Sequence, residues 1–179
     1  MDLIYLIDED MVNYKKPAMF LGFPHCTCKC DKEFGKVICQ NHPLLNSPSI
    51  TISKEELCER YLNNSITSSI VIGGLEPMDD TIDLISFIDC LRNKYSCNDP
   101  VVIYTGYTEQ ELKEGWRDGQ DEETKSVFAS YWRPLTEEYK NIVIKFGRYI
   151  PDMPPKYDEV LGVKLVSENQ YAKEYNFSA

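Results

Sequence analysis

The sequence is poor in histidine and in basic residues, and it lacks a long apolar run. His25 and His42 are the only two histidines among 179 residues, so a metal site here would be built mainly from other ligands. Lys and Arg number 19 against 29 Asp and Glu, and the formal net charge of −10 opposes nonspecific binding to nucleic acid or to an anionic membrane. No apolar run approaches the length of a membrane span. We therefore expect no nucleic acid and no membrane among the partners.

The first residues also lack the basic leader and the cleavage site of a signal peptide. This predicts a cytoplasmic location. The hydrophobic content of 42% and the aromatic content of 12% are those of an ordinary globular chain and argue against disorder. We expect a single domain over residues 1–179.

Cysteine is the residue type that stands out among those present. The chain has seven cysteines, and this odd number excludes a complete intrachain disulfide framework. In a reducing compartment, grouped cysteines usually hold metal. Thiolate ligands favour zinc, copper(I) or an iron–sulfur cluster. The grouped cysteines are Cys26, Cys28, Cys30 and Cys39.

Short apolar runs alternate with segments of helical pattern along the chain. Continuous Val and Ile runs separated by helices indicate a parallel sheet covered by helices, so the predicted class is α/β. Strands are predicted at Ala18–Phe23, Ser69–Ile72, Pro100–Tyr104, Asn141–Phe146 and Glu159–Val163. Helices are predicted at Ser53–Leu62, at Asp79–Tyr95, from near Thr108 and at Glu122–Trp132.

Three loops with unusual composition follow the first three predicted strands. The cysteine loop follows the first, residues 73–77 (GGLEP) follow the second, and residues 104–107 (YTGY) close the third. Ligands of parallel α/β sheets bind beyond the carboxyl ends of the strands. We therefore expect all three loops to meet at one edge of the sheet.

The cysteine spacing distinguishes between the candidate metals. Structural zinc sites usually show paired C-x2-C knuckles, and this loop has none. A three-cysteine iron–sulfur cluster needs a flexible loop that wraps it, and Cys26 and Cys30, with Cys39 folding back onto them, suit that need. One iron would then lack a protein ligand and stay open for chemistry. The spacing favours the cluster, and zinc is the alternative.

The other two loops each have an ordinary and a functional interpretation. Residues 73–77 are compatible with a plain strand-to-helix turn, but bare glycine backbone also lets a ligand approach closely, and Glu76 can accept bonds from a cationic amine. Residues 104–107 are compatible with a plain turn as well. Functionally, Thr105 can donate to a ligand and a tyrosine can pack against an adenine face.

Taken together, these motifs resemble the radical S-adenosylmethionine enzymes, and most closely the activating proteins of anaerobic ribonucleotide reductase. That family carries C-x3-C-x2-C, a Gly-Gly-acid-Pro segment and a Trp/Tyr-Thr-Gly-Tyr segment, in the order found here. Residues 144–149 (IKFGRY) are similar to the family's late strand, and residues 167–170 (SENQ) resemble its terminal Ser-Ser-Asn-Gln. The ordered set spans most of the chain, so the expected core is about residues 17–170.

The resemblance implies a partial, open (βα) barrel with a mainly parallel sheet and with a [4Fe–4S] cluster and S-adenosylmethionine at the carboxyl ends of its strands. The cluster ligands would be Cys26, Cys30 and Cys39, while Cys28 falls at a family position that is not a ligand but could substitute for one. Reduction would cleave the cofactor to methionine and a 5′-deoxyadenosyl radical, which the family uses to activate a glycyl-radical partner, with a flavodoxin- or ferredoxin-type electron donor. The implied cofactor-binding residues are Gly73, Gly74, Glu76, Pro77, Thr105, Gly106 and Tyr107.

The chain departs from the family pattern at three places. Glu33 stands where the third cysteine of C-x3-C-x2-C is expected, but the family often has Asn two residues after that cysteine, and Asn41 follows Cys39 in this way. Leu75 is inserted before the acid, and Phe146 replaces the usual aspartate before the late glycine. Two alternatives follow: a radical enzyme that modifies another substrate, and a non-enzymatic zinc-binding interaction module.

Overall fold

The computed structural model of the protein describes residues 1–115 and 130–176, and its centre is a six-stranded mixed sheet. The strands are β1 (Asp2–Leu3), β2 (Tyr5–Asp10), β3 (Ala18–Phe23), β4 (Ile50–Thr51), β5 (Ile70–Gly74), β6 (Val101–Tyr104), β7 (Ile142–Phe146), β8 (Lys156–Asp158), β9 (Val163–Leu165) and β10 (Tyr171–Tyr175). The helices are α1 (Lys29–Phe34), α2 (Lys54–Leu62), α3 (Thr81–Asp89) and α4 (Glu109–Lys113). Short 3-10 turns lie at His42–Asn46 and Pro77–Asp80, and π-helical turns at Cys90–Lys94 and Pro134–Glu138.

The main sheet has the order β10-β7-β6-β5-β3-β2. Its four central strands, β3, β5, β6 and β7, are parallel neighbours, and they are the first four strands predicted from the sequence. The edge strands β2 and β10 are antiparallel to their neighbours. The described residues form no closed barrel. The partial, open barrel stays a prediction.

The fifth predicted strand, at Glu159–Val163, is wrong. Residues 159–162 form a turn that joins β8 to β9 in a separate two-stranded hairpin. The buried Asp158 carboxylate accepts hydrogen bonds from the backbone N–H groups of Leu161 and Ala172, which favours the turn over a strand. The edge strands β2 and β10 were not predicted at all.

Helix boundaries follow local capping chemistry. The Ser53 hydroxyl accepts a bond from the N–H of Glu56 at 3.1 Å, so α2 begins where the sequence predicts it. The helix predicted from Asp79 begins at Thr81 instead, because Pro77–Asp80 form a 3-10 turn first. The helix predicted at Glu122–Trp132 falls largely outside the described residues.

The two faces of the sheet are covered differently. Helices α2 and α3 pack their apolar residues, including Leu57, Leu84 and Phe87, against one face and form the larger core. A smaller cluster on the other face includes Phe20, Val102 and Leu165. Across the described residues, none of the helices has the length and apolar character that a membrane crossing requires.

Candidate functional site

A cavity of about 470 Å³ opens at the carboxyl ends of the central strands, beside Phe20 and Tyr104 on the face opposite α2 and α3. All three loops singled out in the sequence contribute to its wall. The cysteine loop provides Cys26, Cys30 and Cys39, the second loop provides Gly73, Gly74 and Glu76, and the third provides Thr105 and Gly106. The expected meeting of the three loops at one sheet edge is therefore what the structure shows.

Cys28 differs from the other three clustered cysteines because it does not line the cavity. Its backbone N–H donates to Sγ of Cys26 at 3.2 Å, and its own Sγ lies 3.7 Å from the carbonyl oxygen of Cys26. Its φ of 55° is in the left-handed region, where the chain turns before α1 begins. Cys28 thus faces the loop backbone rather than the cavity.

Asp31 folds the cysteine loop back so that Cys39 reaches the cavity. Its Oδ1 accepts the backbone N–H groups of Ile38 at 2.8 Å and Cys39 at 3.0 Å, and Nδ1 of His42 lies 2.7 Å from Oδ2. The bond from Ile38 is the main reason why the pKa of Asp31 lies below its ordinary value. Further along, the Asn41 side-chain amide donates to the carbonyl oxygen of Gly74 at 2.8 Å, which joins this loop to the second one.

Asp79 holds the N-terminal part of the cysteine loop in place through hydrogen bonds. Its Oδ2 accepts the backbone N–H of Thr27 at 2.6 Å, and its Oδ1 accepts the Tyr107 hydroxyl at 2.7 Å. This carboxylate therefore joins the cysteine loop to the third loop. Asp79 was not among the predicted site residues, and its only signal in the sequence is its position two residues after the GGLEP segment.

Glu76 is almost fully buried, with 6% of its surface exposed, and it connects the second and third loops. Its Oε1 accepts the Met78 N–H at 3.0 Å and the Thr105 hydroxyl at 2.7 Å, and its Oε2 accepts the Gly106 N–H at 2.8 Å. Burial, and then the charge of Asp79, raise the pKa of Glu76 to about 7. A carboxylate offers about four acceptor positions, so one remains on Oε2 for a further donor.

The two glycines of the second loop are required by strand packing itself. Gly74 has a φ of +91°, and a β-carbon there would lie 2.7 Å from the backbone nitrogen of Phe23. A β-carbon on Gly73 would lie 2.9 Å from the Phe20 ring. Pro77 is buried at the start of the 3-10 turn that follows. The glycine pair is thus explained without a ligand, although both residues line the cavity.

The tyrosines of the third loop have separate surroundings. Tyr107 is 3% exposed, packs in the larger core and does not line the main cavity. Tyr104 does line it, and its hydroxyl donates to the Asn13 carbonyl oxygen at 2.6 Å. A contact between Tyr107 and an adenine ring stays a prediction, while Tyr104 is the tyrosine of this loop that faces the cavity.

Two cations of the IKFGRY segment, neither of which was among the predicted site residues, line the cavity. The Lys145 side chain is buried, and its only hydrogen bond among the described residues is to the Gly147 carbonyl oxygen at 2.7 Å. Burial lowers the pKa of Lys145 to about 8. Arg148 is the second cation. Phe146, noted as a family departure, lies in the core against Trp132 and Tyr171, so the side chain that β7 directs at the cavity belongs to Lys145.

All seven cysteines are free thiols. Burial raises the pKa values of Cys26 and Cys39, and it raises the pKa of Cys30 to about 11, so the thiols keep their protons at neutral pH. Within residues 1–115 and 130–176, no three His, Cys, Asp or Glu side chains are grouped closely enough to hold a single metal ion. The cluster assignment and the zinc alternative both stay predictions.

No family model matches this chain, and no curated protein or solved structure matches it. The resemblance to the radical S-adenosylmethionine activating proteins therefore rests on the motifs of the chain alone.

Proposed function

We propose that this protein binds a [4Fe–4S] cluster through Cys26, Cys30 and Cys39 and uses it to cleave S-adenosylmethionine reductively. The observation that carries the proposal is the composition of one cavity wall. Three free thiols from a single loop share that wall with a buried carboxylate, Glu76, and a buried ammonium group, Lys145.

The cysteine loop suits a cluster by its donor chemistry. Its three cavity-lining ligands are all sulfur, which favours iron–sulfur centres over harder ions. Asp31 and Asp79 hold the two ends of the loop, so the thiols face one cavity before any metal arrives. Metal binding deprotonates coordinating thiols, which overcomes the raised pKa values of the metal-free site.

The charges in the cavity suit the amino-acid end of S-adenosylmethionine, which carries one ammonium and one carboxylate. Glu76 keeps one acceptor position for an ammonium donor, and the Lys145 ammonium group has N–H donors beyond the one used by Gly147. The volume of about 470 Å³ lies within the range of small-molecule sites, roughly 300–1,000 Å³. The Tyr104 and Phe20 rings line another part of the wall and offer apolar surface to the adenosyl group.

When bound, the reduced cluster supplies the electron that converts S-adenosylmethionine into methionine and a 5′-deoxyadenosyl radical. The residues of this chain bind and orient the cofactor and limit access of water. We propose a glycyl-radical protein, such as an anaerobic ribonucleotide reductase, as the radical acceptor, and a flavodoxin- or ferredoxin-type protein as electron donor. Modification of another substrate by the same radical is the alternative within this chemistry.

Anaerobic reconstitution tests the proposal. We expect about four iron and four sulfide per chain, and release of 5′-deoxyadenosine when dithionite and S-adenosylmethionine are added. The matched control is Cys58→Ala, because Cys58 is buried in the core and does not line the cavity, so its removal should leave the iron content unchanged. One zinc per chain without iron would instead support the interaction module. A loaded, reduced cluster that releases no 5′-deoxyadenosine would reject the proposed reaction.

A further inference from the structure

Two nearly buried cations lie near Cys30, and one of them lies over the same glycine as the Cys30 sulfur. A β-carbon built on Gly106 would lie 3.5 Å from Cγ of Arg148 and 3.9 Å from Sγ of Cys30, so both side chains lie over the same glycine. Lys29 directly precedes Cys30 at the start of α1. The side chains of Arg148 and Lys29 are only 10% and 8% exposed, so water screens their charges weakly.

Glu111 holds both of these cations. It accepts two bonds from the Arg148 guanidinium, at 3.0 and 2.7 Å, and one from Nζ of Lys29 at 2.6 Å. The same carboxylate also accepts the N–H of Thr108 and completes the capping box of α4. Burial alone would raise the pKa of Glu111, but the bonds from Arg148 and Lys29 hold it at about 2. Glu111 therefore joins the cysteine-loop helix, α4 and the segment after β7.

The arrangement brings a fixed positive charge close to one cluster ligand. Reduction of a cluster adds one negative charge, and a nearby cation stabilises the reduced form more than the oxidised form. The two-pronged pair with Glu111 fixes where the guanidinium lies, and Glu33 adds an ion pair to Nε at 3.4 Å. Neither Arg148 nor Glu111 is needed as a ligand for this effect.

We propose that Arg148 is a positioning residue that raises the reduction potential of the cluster at Cys30, and that Glu111 holds it in place while offsetting part of its charge. This inference rests on the proposed function, since it needs a cluster bound by Cys30. It predicts opposite effects for the two partners. Removing the cation should make the potential more negative, and removing the carboxylate should make it less negative.

The test is an anaerobic redox titration of the reconstituted protein, with the reduced cluster followed by electron paramagnetic resonance. Arg148→Gln should shift the midpoint potential to a more negative value than wild type. Glu111→Gln should shift it to a less negative value, and glutamine can still cap α4. The matched controls are Arg60→Gln and Asp8→Asn, which break an exposed two-pronged pair outside the cavity wall and should leave the potential unchanged.

Equal potentials in wild type and both variants, or shifts of the same sign in both, would overturn the inference. If Arg148→Gln does not fold, Glu111→Gln decides alone: a less negative potential supports the inference, and an unchanged or more negative one overturns it. Failure of the wild-type protein to take up iron would instead reject the proposed function. The two failures are distinguished by the iron content of the wild type.

Discussion

At the scale of single residues, three of the four clustered cysteines line the cavity and Cys28 does not, which gives the proposed ligand set a direct test. We expect Cys26→Ala, Cys30→Ala and Cys39→Ala to lose most of the reconstituted iron, because these cysteines line the cavity. Cys28→Ala should keep it, because Cys28 faces the backbone of Cys26. Anaerobic reconstitution and iron counting measure both. Full iron content in Cys39→Ala, or its complete loss in Cys28→Ala, would contradict this ligand assignment.

Glu76 should contribute directly to cofactor affinity. We expect Glu76→Gln to weaken binding of S-adenosylmethionine by about 1.5–3 kcal/mol, the value of a hydrogen bond to a charged group. Isothermal calorimetry on the loaded protein measures the change. Asp80→Asn is the matched control, since Asp80 lies in the same turn and does not line the cavity. Equal affinity in Glu76→Gln would leave Glu76 as a residue that only joins two loops.

The buried Glu76 also predicts a pH dependence of stability in the metal-free protein. Its pKa is raised from 4.5 to about 7 in the folded state. Between these two values the unfolded chain releases the proton and the folded chain keeps it, so Glu76 makes folding less favourable as pH rises through this window. The loss amounts to roughly 3 kcal/mol and is complete above pH 7. Urea unfolding measures this. The free energy of unfolding should fall less between pH 5 and pH 8 for Glu76→Gln than for wild type, and equal falls would refute the prediction.

Single residues also show how much of the candidate site could be predicted from the sequence. Cys26, Cys30, Cys39 and Glu76 lie in motifs, so their place in one cavity wall follows from strand order alone. Asp79 and Glu111 could not be found in this way, because their partners in the site lie far along the chain. Other residues of the cavity wall depend on which face of a strand they occupy. Lys145, for example, reaches the cavity because β7 alternates its side chains between two faces.

At the scale of elements, the short α1 and the loop after it depend on one carboxylate. Asp31→Ala removes the acceptor for the backbone N–H groups of Ile38 and Cys39. We expect these two amides to exchange hydrogen faster. Their free energy of protection should fall by roughly 1–3 kcal/mol, the value of one or two such bonds. Hydrogen exchange of the reduced, metal-free protein measures this. Glu33→Ala, also in α1 and half exposed, is the control, and unchanged exchange in Asp31→Ala would contradict the role of Asp31.

Elements that carry their own local signals were predictable. The Ser53 cap and the Thr108 capping box begin α2 and α4 as the sequence indicates. The edge strands β2 and β10 carry no comparable signal, because an antiparallel edge needs neither a continuous apolar run nor a crossover helix. The turn at residues 159–162 resembles a strand in sequence because Val160 and Leu161 are apolar. In the structure these side chains pack against the sheet, but the turn does not belong to it.

At the scale of the whole molecule, exposed apolar side chains at the cavity wall bear on the substrate of the proposed radical. Ile7 and Val166 line the cavity yet are 45% and 46% exposed, so apolar surface at its wall stays in contact with water. The proposed macromolecular substrate would cover this surface when it binds.

We therefore expect the loaded protein to release 5′-deoxyadenosine slowly when alone and to transfer the radical when a suitable partner covers the cavity. Mixed anaerobically with reductant, S-adenosylmethionine and a glycyl-radical reductase, it should produce a glycine-centred doublet in electron paramagnetic resonance. The Cys39→Ala variant, which should lack the cluster, is the control and should give no doublet. Cofactor cleavage without a doublet would support the proposed cleavage reaction but reject the activating role, because the radical would then form without reaching the partner's glycine.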